Sequence, residues 1–298
     1  MDVRKLRYFI ALAEELHFGH AAERLHLAQP ALSRQIKALE TELGVTLLNR
    51  TNQKVWLTEA GRMFLPQARQ AVAKFEQAAT VARKAGRGEV GQLTIGYASS
   101  IPFTGLFVDI LHAFRSRFPG VELILQEISS ARQIEAIQNG ALDIGFIRMP
   151  VPPKPPSVGV DIIFREALCI VHHTDSPLSA VPALGAKDIS SAPFIFYPPR
   201  FGSGLYEQTI SICRSLGFSP VVKQEAEQIV AILSLVAAGL GIAIVPSSVQ
   251  AIRMKNITFR ASPSIPDLSD VAIAHASGDM KSPCAEAFHR LVVSMATL

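Results

Sequence analysis

Apolar residues at Leu6, Phe9, Ile10, Leu12, Ala13 and Leu16 recur at steps of three and four, so the chain opens with an amphipathic helix that Phe18 ends. A short second helix follows over "HAAERLH", where Ala21, Ala22 and Leu25 present a face small enough for close approach. In "LAQPALSRQIKALETELG", Pro30 sits where a helix begins, because its missing N–H has no intrahelical partner there. Leu32, Ile36, Leu39 and Leu43 make one apolar stripe of that third helix, and Gly44 supplies its stop. Past Gly44, the apolar runs "VTLL" and "VWLT" flank "NRTNQK", the pattern of a hairpin with a polar, basic tip. Thr58 then caps a long helix to about Lys84. Within it Phe64, Ala68, Ala71, Phe75, Ala78 and Ala82 step by four and three in turn, a heptad seam that predicts dimerisation, with packing inside the chain as the alternative. Pro66 interrupts this pattern and predicts a kink or a delayed helix start, and "AGRGEVGQ" reads as a hinge.

From Gln92 onward the period alternates. "QLTIGYAS", "VELILQEI" and "LDIGFI" read as strands, separated by helices over "FVDILHAFRSRFPG" and "ARQIEAIQNG". The grammar repeats through "ALCIVHH", "FIFYPP", a helix from Leu205 to Leu216, "PVVKQEA" and "GIAIVP", which predicts two α/β subdomains on a mostly parallel sheet. The apolar run "IVAILSLVAAGLGIAIVP" falls short of the roughly 20 residues that cross a bilayer. It divides instead into a buried helix to Ala238, a glycine turn and a buried strand.

Composition adds limits to this picture. At 298 residues the chain exceeds the roughly 150 typical of one domain. Its 49% apolar and 18% charged content is that of an ordinary globular protein. Cys169, Cys213 and Cys284 are far apart with no CxxC pair, which argues against a disulfide framework or a zinc site and suits a reducing cytoplasm. The N-terminus carries Glu14 and Glu15 and no small-residue cleavage site, so no signal peptide is expected. Residues 1 to 90 hold 14 Lys and Arg against 9 Asp and Glu, whereas the remainder holds 15 against 16. A basic head on a neutral body points to a polyanion as the partner of the head alone.

The candidate chemistry follows from these placements. The polar edge of the third helix displays Gln29, Ser33, Arg34 and Lys37 in its first two turns, where a recognition helix reaches base edges. Arg binds guanine bidentately, Gln binds adenine, and Ser or Lys meets bases or phosphates. Any one of these residues alone would be a solvated helix face. Arg50 and Lys54 on the hairpin are placed to lie along phosphates or in the adjacent minor groove, a plain exposed hairpin being the alternative. In the body, strands end at Ser99 and Ser100, at Ser129 and Ser130, and at Arg148, and "RFGSG" offers Gly202, Ser203 and Gly204 before a helix. Hydroxyls, amides and a guanidinium beyond the carboxyl ends of strands suit a small carboxylate. The plainer alternatives are that the serines cap helices and that Arg148 pairs with a structural carboxylate. His172 and His173 lie in a strand pattern and are read as structural. No GxSxG, HExxH or P-loop occurs, so no enzyme and no cofactor is expected.

Residues 1 to 61, "LRYFIALAEELHFGHAAERLHLAQPALSRQIKALETELGVTLLNRTNQKVWLTEAG" with the residues before it, resemble the winged helix-turn-helix of LysR-type transcriptional regulators. The resemblance implies that Gln29, Pro30, Ser33 and Arg34 open the recognition helix on DNA. Where many members begin the second helix with Ser or Thr, this chain has Gly19 and His20, which implies a missing side-chain cap or phosphate contact, partly replaced by His20. The implied fold is an all-α head with a winged helix-turn-helix over 1–58, a linker helix and hinge over 59–88, and a periplasmic-binding-protein-like α/β effector domain over 89–298. That last domain would split into subdomain I, 89–164 and 266–298, and subdomain II, 165–265. The implied partners are a double-stranded DNA operator, a small organic acid effector, further copies of the chain in a homodimer or homotetramer, and RNA polymerase as a candidate, in the cytoplasm on the nucleoid and without a membrane. Through "YASS", "EISSARQ", "DIGFIR" and "LVAAGLGIAIVPSS" the body is similar to the branch that answers aromatic compounds and muconate-like diacids. Two rival readings are an enzyme or transport-type binding protein with an accessory head, and a nonspecific nucleoid protein that uses the head alone.

Overall fold

The computed structural model describes residues 1–51, 54–198, 204–265, 268–278, 280 and 282–296. Helix α1 (Val3–Glu15) is opened by the Asp2 carboxylate, which accepts from the Lys5 backbone N–H at 2.9 Å. It stops where Leu16 turns left-handed at φ 48°, so Phe18 does not close α1 but opens α2 (Phe18–Arg24). The second helix does have a side-chain cap, contrary to the expectation from Gly19 and His20. His17 Nδ1 accepts from the His20 backbone N–H at 3.2 Å. Helix α3 (Gln29–Leu43) carries Pro30 in its first turn and ends at Gly44 with φ 67°. Phe9, Leu12, Ala21, Leu32, Ile36 and Leu39 pack together with no exposed surface and form the core of the head.

Strands β1 (Leu48–Arg50) and β2 (Val55–Leu57) pair antiparallel, with Leu48 opposite Leu57 and Arg50 opposite Val55. Helix α4 (Glu59–Gly86) starts at once, with Thr58 Oγ1 accepting from Gly61 N at 2.9 Å, and runs through Pro66 with no delayed start. Gly61 has to be glycine, because a Cβ there would lie 2.1 Å from the Leu47 carbonyl oxygen. The heptad seam divides. Ala68 is buried in the head core and Phe64 packs against it, 5.4 Å from the Phe9 ring, so these two are core residues of the head rather than dimer contacts. Ala71, Phe75, Ala78 and Ala82 remain exposed.

The chain separates into two units, Met1–Lys84 and Ala85–Leu298. The second begins with β3 (Val90–Tyr97), α5 (Gly105–Arg117), β4 (Gly120–Glu127), α6 (Ser130–Gln138) and β5 (Ile144–Arg148). Next come the 16-residue β6 (Val158–His173), α7 (Ala186–Ile189), β7 (Pro193–Phe196), α8 (Gly204–Ser215), β8 (Val221–Glu225), α9 (Ile229–Ala237) and β9 (Ala243–Pro246). It closes with β10 (Ile257–Arg260), β11 (Leu268–Ala276) and α10 (Pro283–Met295). The second half of "AGRGEVGQ" is packed into the second unit. Gly88, at φ 69°, is packed so that a Cβ would meet the Pro283 carbonyl oxygen at 2.5 Å, and Val90 already belongs to β3.

The pairing is mixed rather than mostly parallel. β3 pairs parallel with β4 and β5, and β7 with β8, but β11 runs antiparallel to β5 and β6, and β6 antiparallel to β9 and β10. The reason is β6 itself. It passes unbroken from subdomain I, where Val158 to Ala167 pair with β11, into subdomain II, where Leu168 to Val171 pair with β9. Each subdomain keeps its own core, one around Ile95, Phe114, Phe146 and Phe288, the other around Ile170, Phe194, Leu233 and Val245. The return near 266 lies outside the described residues, and β11 begins at Leu268. Helix α9 ends at Ala237 and Gly239 turns the chain at φ 76°. Among the described residues no helix is long and apolar enough to cross a membrane.

Deleting most of the Ile36 side chain should show how far the head depends on the α3 stripe. Ile36→Ala is expected to destabilise it by about 2–5 kcal/mol. The fluorescence of Trp56, the single tryptophan, followed through urea unfolding of the full chain, reads this, and an unmoved midpoint would contradict it.

Candidate functional site

The first two turns of α3 expose Gln29, Pro30, Arg34 and Lys37 and half-bury Ser33, on the side away from Leu32, Ile36 and Leu39. Several other cations of the head are already committed. Arg24 pairs with Glu14 and Glu15, Arg69 with Glu14, Arg7 with Glu76 and Lys5 with Glu42, whose carboxyl is held down at about 2 by that lysine. Among the described residues neither Arg34 nor Lys37 has an ion-pair partner, so uncompensated positive charge gathers where a recognition helix enters the major groove.

The wing is braced from α3. Glu40 Oε1 accepts from the Leu47 and Leu48 backbone N–H groups at 2.9 and 3.1 Å, and Glu40 Oε2 takes Arg50 Nη2 at 3.0 Å. Arg50 also lies over the Phe18 ring, 5.7 Å from its centroid. Arg50 is therefore first a brace of the hairpin rather than a free phosphate contact, which corrects the expectation from sequence. Lys54 is exposed next to the tip, and its backbone N–H donates to Thr51 Oγ1 at 3.1 Å. Asn52 and Gln53 fall outside the described residues.

In the second unit a cleft of about 190 Å³ opens beyond the carboxyl ends of β3, β4 and β5. Ser99, Ser100, Ser129, Ser130, Arg148 and Gly204 all line it, while Gly202 and Ser203 lie outside the described residues. Three helices direct their N-termini at it, α6 through Ser129 and Ser130, α8 through Gly204 and α9 through Gln228. Gly204 is required by close packing, since a Cβ would fall 2.3 Å from the Arg148 carbonyl oxygen.

Arg148 differs from the expectation of a ligand-facing guanidinium. It is 1% exposed, and its Nη2 donates to Glu166 Oε1 at 2.6 Å, its Nε to Ser100 Oγ at 2.6 Å and its Nη1 to Ser269 Oγ at 3.2 Å. Ser130 Oγ accepts from the Arg148 backbone N–H at 3.0 Å. The second Glu166 oxygen accepts from Ser248 N at 2.8 Å and from the Ser247 hydroxyl at 3.4 Å. Arg148, Ser100 and Ser130 thus form the floor of the cleft, a satisfied buried network. Two further hydroxyls belong to the cleft-lining residues. Ser99 Oγ is 3.5 Å from the Tyr197 hydroxyl, and Ser129 Oγ is buried with no partner among the described residues.

Sequence reading missed Tyr197, Gln228, Glu127, Arg132 and Glu227 on the walls. Tyr197 of "FIFYPP" comes directly after β7, so the strand-end rule that selected the serines would also have selected it. Burial pushes its phenol up to about 12, which keeps it a neutral hydroxyl. The thiols carry no comparable chemistry. Burial raises Cys169 to about 12 and Cys213 to about 11, and Cys284 rises for the same reason, so none is a thiolate near neutral pH.

Residues 3–62 match the model of the bacterial regulatory helix-turn-helix protein, lysR family, and residues 86–297 match the LysR substrate binding domain. The chain belongs to the LysR family of transcriptional regulators. The uncharacterized HTH-type transcriptional regulator YnfL of Escherichia coli K12 is 37% identical over 288 residues, covering 97% of this chain and 96% of that one. The HTH-type transcriptional regulator AlsR of Bacillus subtilis is 37% identical over 275 residues, covering 92% and 90%. Among solved structures, full-length CbnR in complex with its target DNA superposes with a TM-score of 0.85 at 29% identity over 100% of both chains. Full-length BenM gives 0.60 at 29% identity over 99% and 96%. This LysR regulator is a DNA-binding protein gated through an effector domain, not an enzyme.

The floor and the walls of the cleft should respond differently to mutation. Glu166→Gln leaves a buried guanidinium uncompensated and is expected to cost about 3–5 kcal/mol of stability. Ser129→Ala removes a hydroxyl that bonds nothing in the described chain and should cost nothing measurable. Urea denaturation of the two variants side by side checks the contrast.

Proposed function

We propose that the effector of this LysR regulator is a small organic acid with an aromatic or unsaturated body, and that it binds by its carboxylate at the N-terminus of α6. The observation that carries this reading is Ser129. It caps α6 with no side-chain hydrogen bond of its own, and its hydroxyl is buried without a partner among the described residues. The first N–H groups of α6 therefore lack the side-chain acceptor that a cap residue ordinarily supplies, and a ligand carboxylate would provide one. The N-termini of α8 and α9 add positive potential from other sides. Arg148 contributes little net charge, because Glu166 neutralises it. Ala98, Ile128, Leu205 and the Tyr197 ring supply apolar walls. A volume of about 190 Å³ lies below the roughly 300–1,000 Å³ of drug-sized sites, which favours a small ligand.

On the DNA side the proposed reading is direct readout by Gln29, Ser33, Arg34 and Lys37 of an interrupted inverted repeat, with Pro30 fixing the start of the helix. Ala71, Phe75, Ala78 and Ala82 would be covered by a second copy in a homodimer or homotetramer, since Phe75 leaves a large apolar side chain in water and the alanines allow close helix approach. Lys54 would steady the wing on phosphate. At a promoter, in the cytoplasm on the nucleoid, RNA polymerase is the further proposed partner.

Thermal-shift screening of the full chain against benzoate, cis,cis-muconate and neutral isosteres tests the effector class. An acid at 100 times its dissociation constant should add about 2.7 kcal/mol. Ser129→Ala should weaken that acid by about 1.5–3 kcal/mol, the range of hydrogen bonds to charged groups. Equal shifts from acids and neutral isosteres would remove the carboxylate from the argument. For the head, Arg34→Ala should lose about 1 to 3 kcal/mol of discrimination between operator and random DNA, read by competition footprinting on the upstream region. An unchanged ratio would remove Arg34 from base readout.

A further inference from the structure

A cluster outside both sites joins β6, β11 and α10. Asp161 Oδ2 lies 2.9 Å from His289 Nε2 and 3.0 Å from His275 Nε2, and the three potential ligand atoms sit within 4.8 Å of one another. The two imidazoles meet edge to face, with ring centroids 4.5 Å apart. His275 Nδ1 is 2.8 Å from the Ala276 carbonyl oxygen. A carbonyl only accepts, so Nδ1 donates to it, and Nε2 is left to face the carboxylate oxygen, as the donor of a hydrogen bond or as the ligand of a shared cation. The seat for the ring is built into the sheet. Gly159 pairs with His275 across β6 and β11, and a Cβ there would fall 2.4 Å from the imidazole Cε1. The histidine side chains are 14% and 20% exposed and the Asp161 side chain 47%, which leaves one side open to solvent. The nearby cation of α10, Arg290, is committed to Glu286 at 2.7 Å.

We propose that Asp161, His275 and His289 form a binding site for a divalent transition-metal ion of the zinc type, with water in the open fourth position. Two imidazoles and a carboxylate suit Zn²⁺, Co²⁺ or Ni²⁺, whereas Ca²⁺ and Mg²⁺ take oxygen ligands almost alone. With metal–ligand bonds of about 2.0–2.2 Å, tetrahedral ligands stand roughly 3.3 Å apart, so the present 2.9 and 3.0 Å need to open by only a few tenths of an ångström. The Ala276 carbonyl is the outer partner that orients a ligating imidazole. None of the three residues lines the effector cleft, so the site is independent of the proposed effector. Its effect is structural: the ion ties α10 to the strand that runs through both subdomains. No local spacing announces it, because Asp161 is 114 residues from His275 and 128 from His289, and the sequence led to no metal being expected.

The test uses the full chain, freed of metal by chelator dialysis. Calorimetric titration with Zn²⁺ should give one ion per chain, with a rise in unfolding temperature, and Co²⁺ should show the d–d absorption of a four-coordinate site. His275→Gln and His289→Gln should each weaken Zn²⁺ by at least the roughly tenfold that loss of an outer partner alone produces. Gly159→Ala, which keeps all three ligands but displaces the ring, should weaken it too. The rings of His17 and His20 lie 4.2 Å apart and are a second place where Zn²⁺ could settle, so His17→Ala should leave the titration unchanged. Loss of binding in that variant, no binding at all, or unchanged binding in the His275→Gln, His289→Gln double variant overturns the site. Should the double variant fail to fold, ¹⁵N spectra of the wild-type imidazoles decide. Zn²⁺ must move two Nε2 resonances, and a spectrum that does not move overturns the proposal equally.

Discussion

The Arg148–Glu166 pair is the constraint around which the effector domain is assembled. Two charges taken out of water each cost several kcal/mol, and that cost is met only if every remaining donor and acceptor finds a partner. The partners come from far apart in the chain: Arg148 from the end of β5, Glu166 from β6, Ser269 from β11, Ser100 from the turn after β3, and Ser247 and Ser248 from the turn after β9. Both subdomains must be in place before the pair is satisfied. The same network seals the floor of the cleft and leaves Ser129 and the ends of α6, α8 and α9 as its reactive walls.

A smaller version of this arrangement holds the head together. One carboxylate of α3, Glu40, accepts two backbone N–H groups of the wing and one guanidinium, so the recognition helix and the hairpin are set relative to each other by a single side chain. Most of the other ion pairs of the head lie among α1, α2, α3 and α4 and use up their cations. Arg34 and Lys37 stand apart from them, because the acidic residues of α3 are all at its far end, on Glu40 and Glu42. Function is thus written into where the anions are not.

Elements with their own periodicity were legible in the sequence. The stripe of α3, its Pro30 start and Gly44 stop, the βα alternation and the serines at strand ends each depend on residues within about one turn or one strand of each other, so local spacing reports them. The misreadings were of partners. Phe64 and Ala68 have the same spacing as Phe75 and Ala78, and only the presence of Phe9 beside the first pair sends it to the core. His17 could not be identified as a cap until α1 was known to end at Glu15.

By itself, then, the amino-acid order determined the helices of the head, the charge of that head, the βα alternation from Gln92 to Pro246 and the serines at the mouths of strands, while β10, β11 and α10 went unread. Tertiary structure alone decided which polar residues are spent and which are available. Arg148 stood open between a ligand contact and a structural pair, and Arg50 read as a phosphate contact, until Glu166 and Glu40, 18 and 10 residues away, were brought within 3.0 Å of them. Asp161, His275 and His289 had no relation at all until β11 paired with β6 and α10 packed beside them. The physical reason is common to both cases. Helix and strand patterns are properties of neighbours along the chain, whereas the charge state and free valence of a side chain depend on whatever the fold places within a hydrogen bond of it.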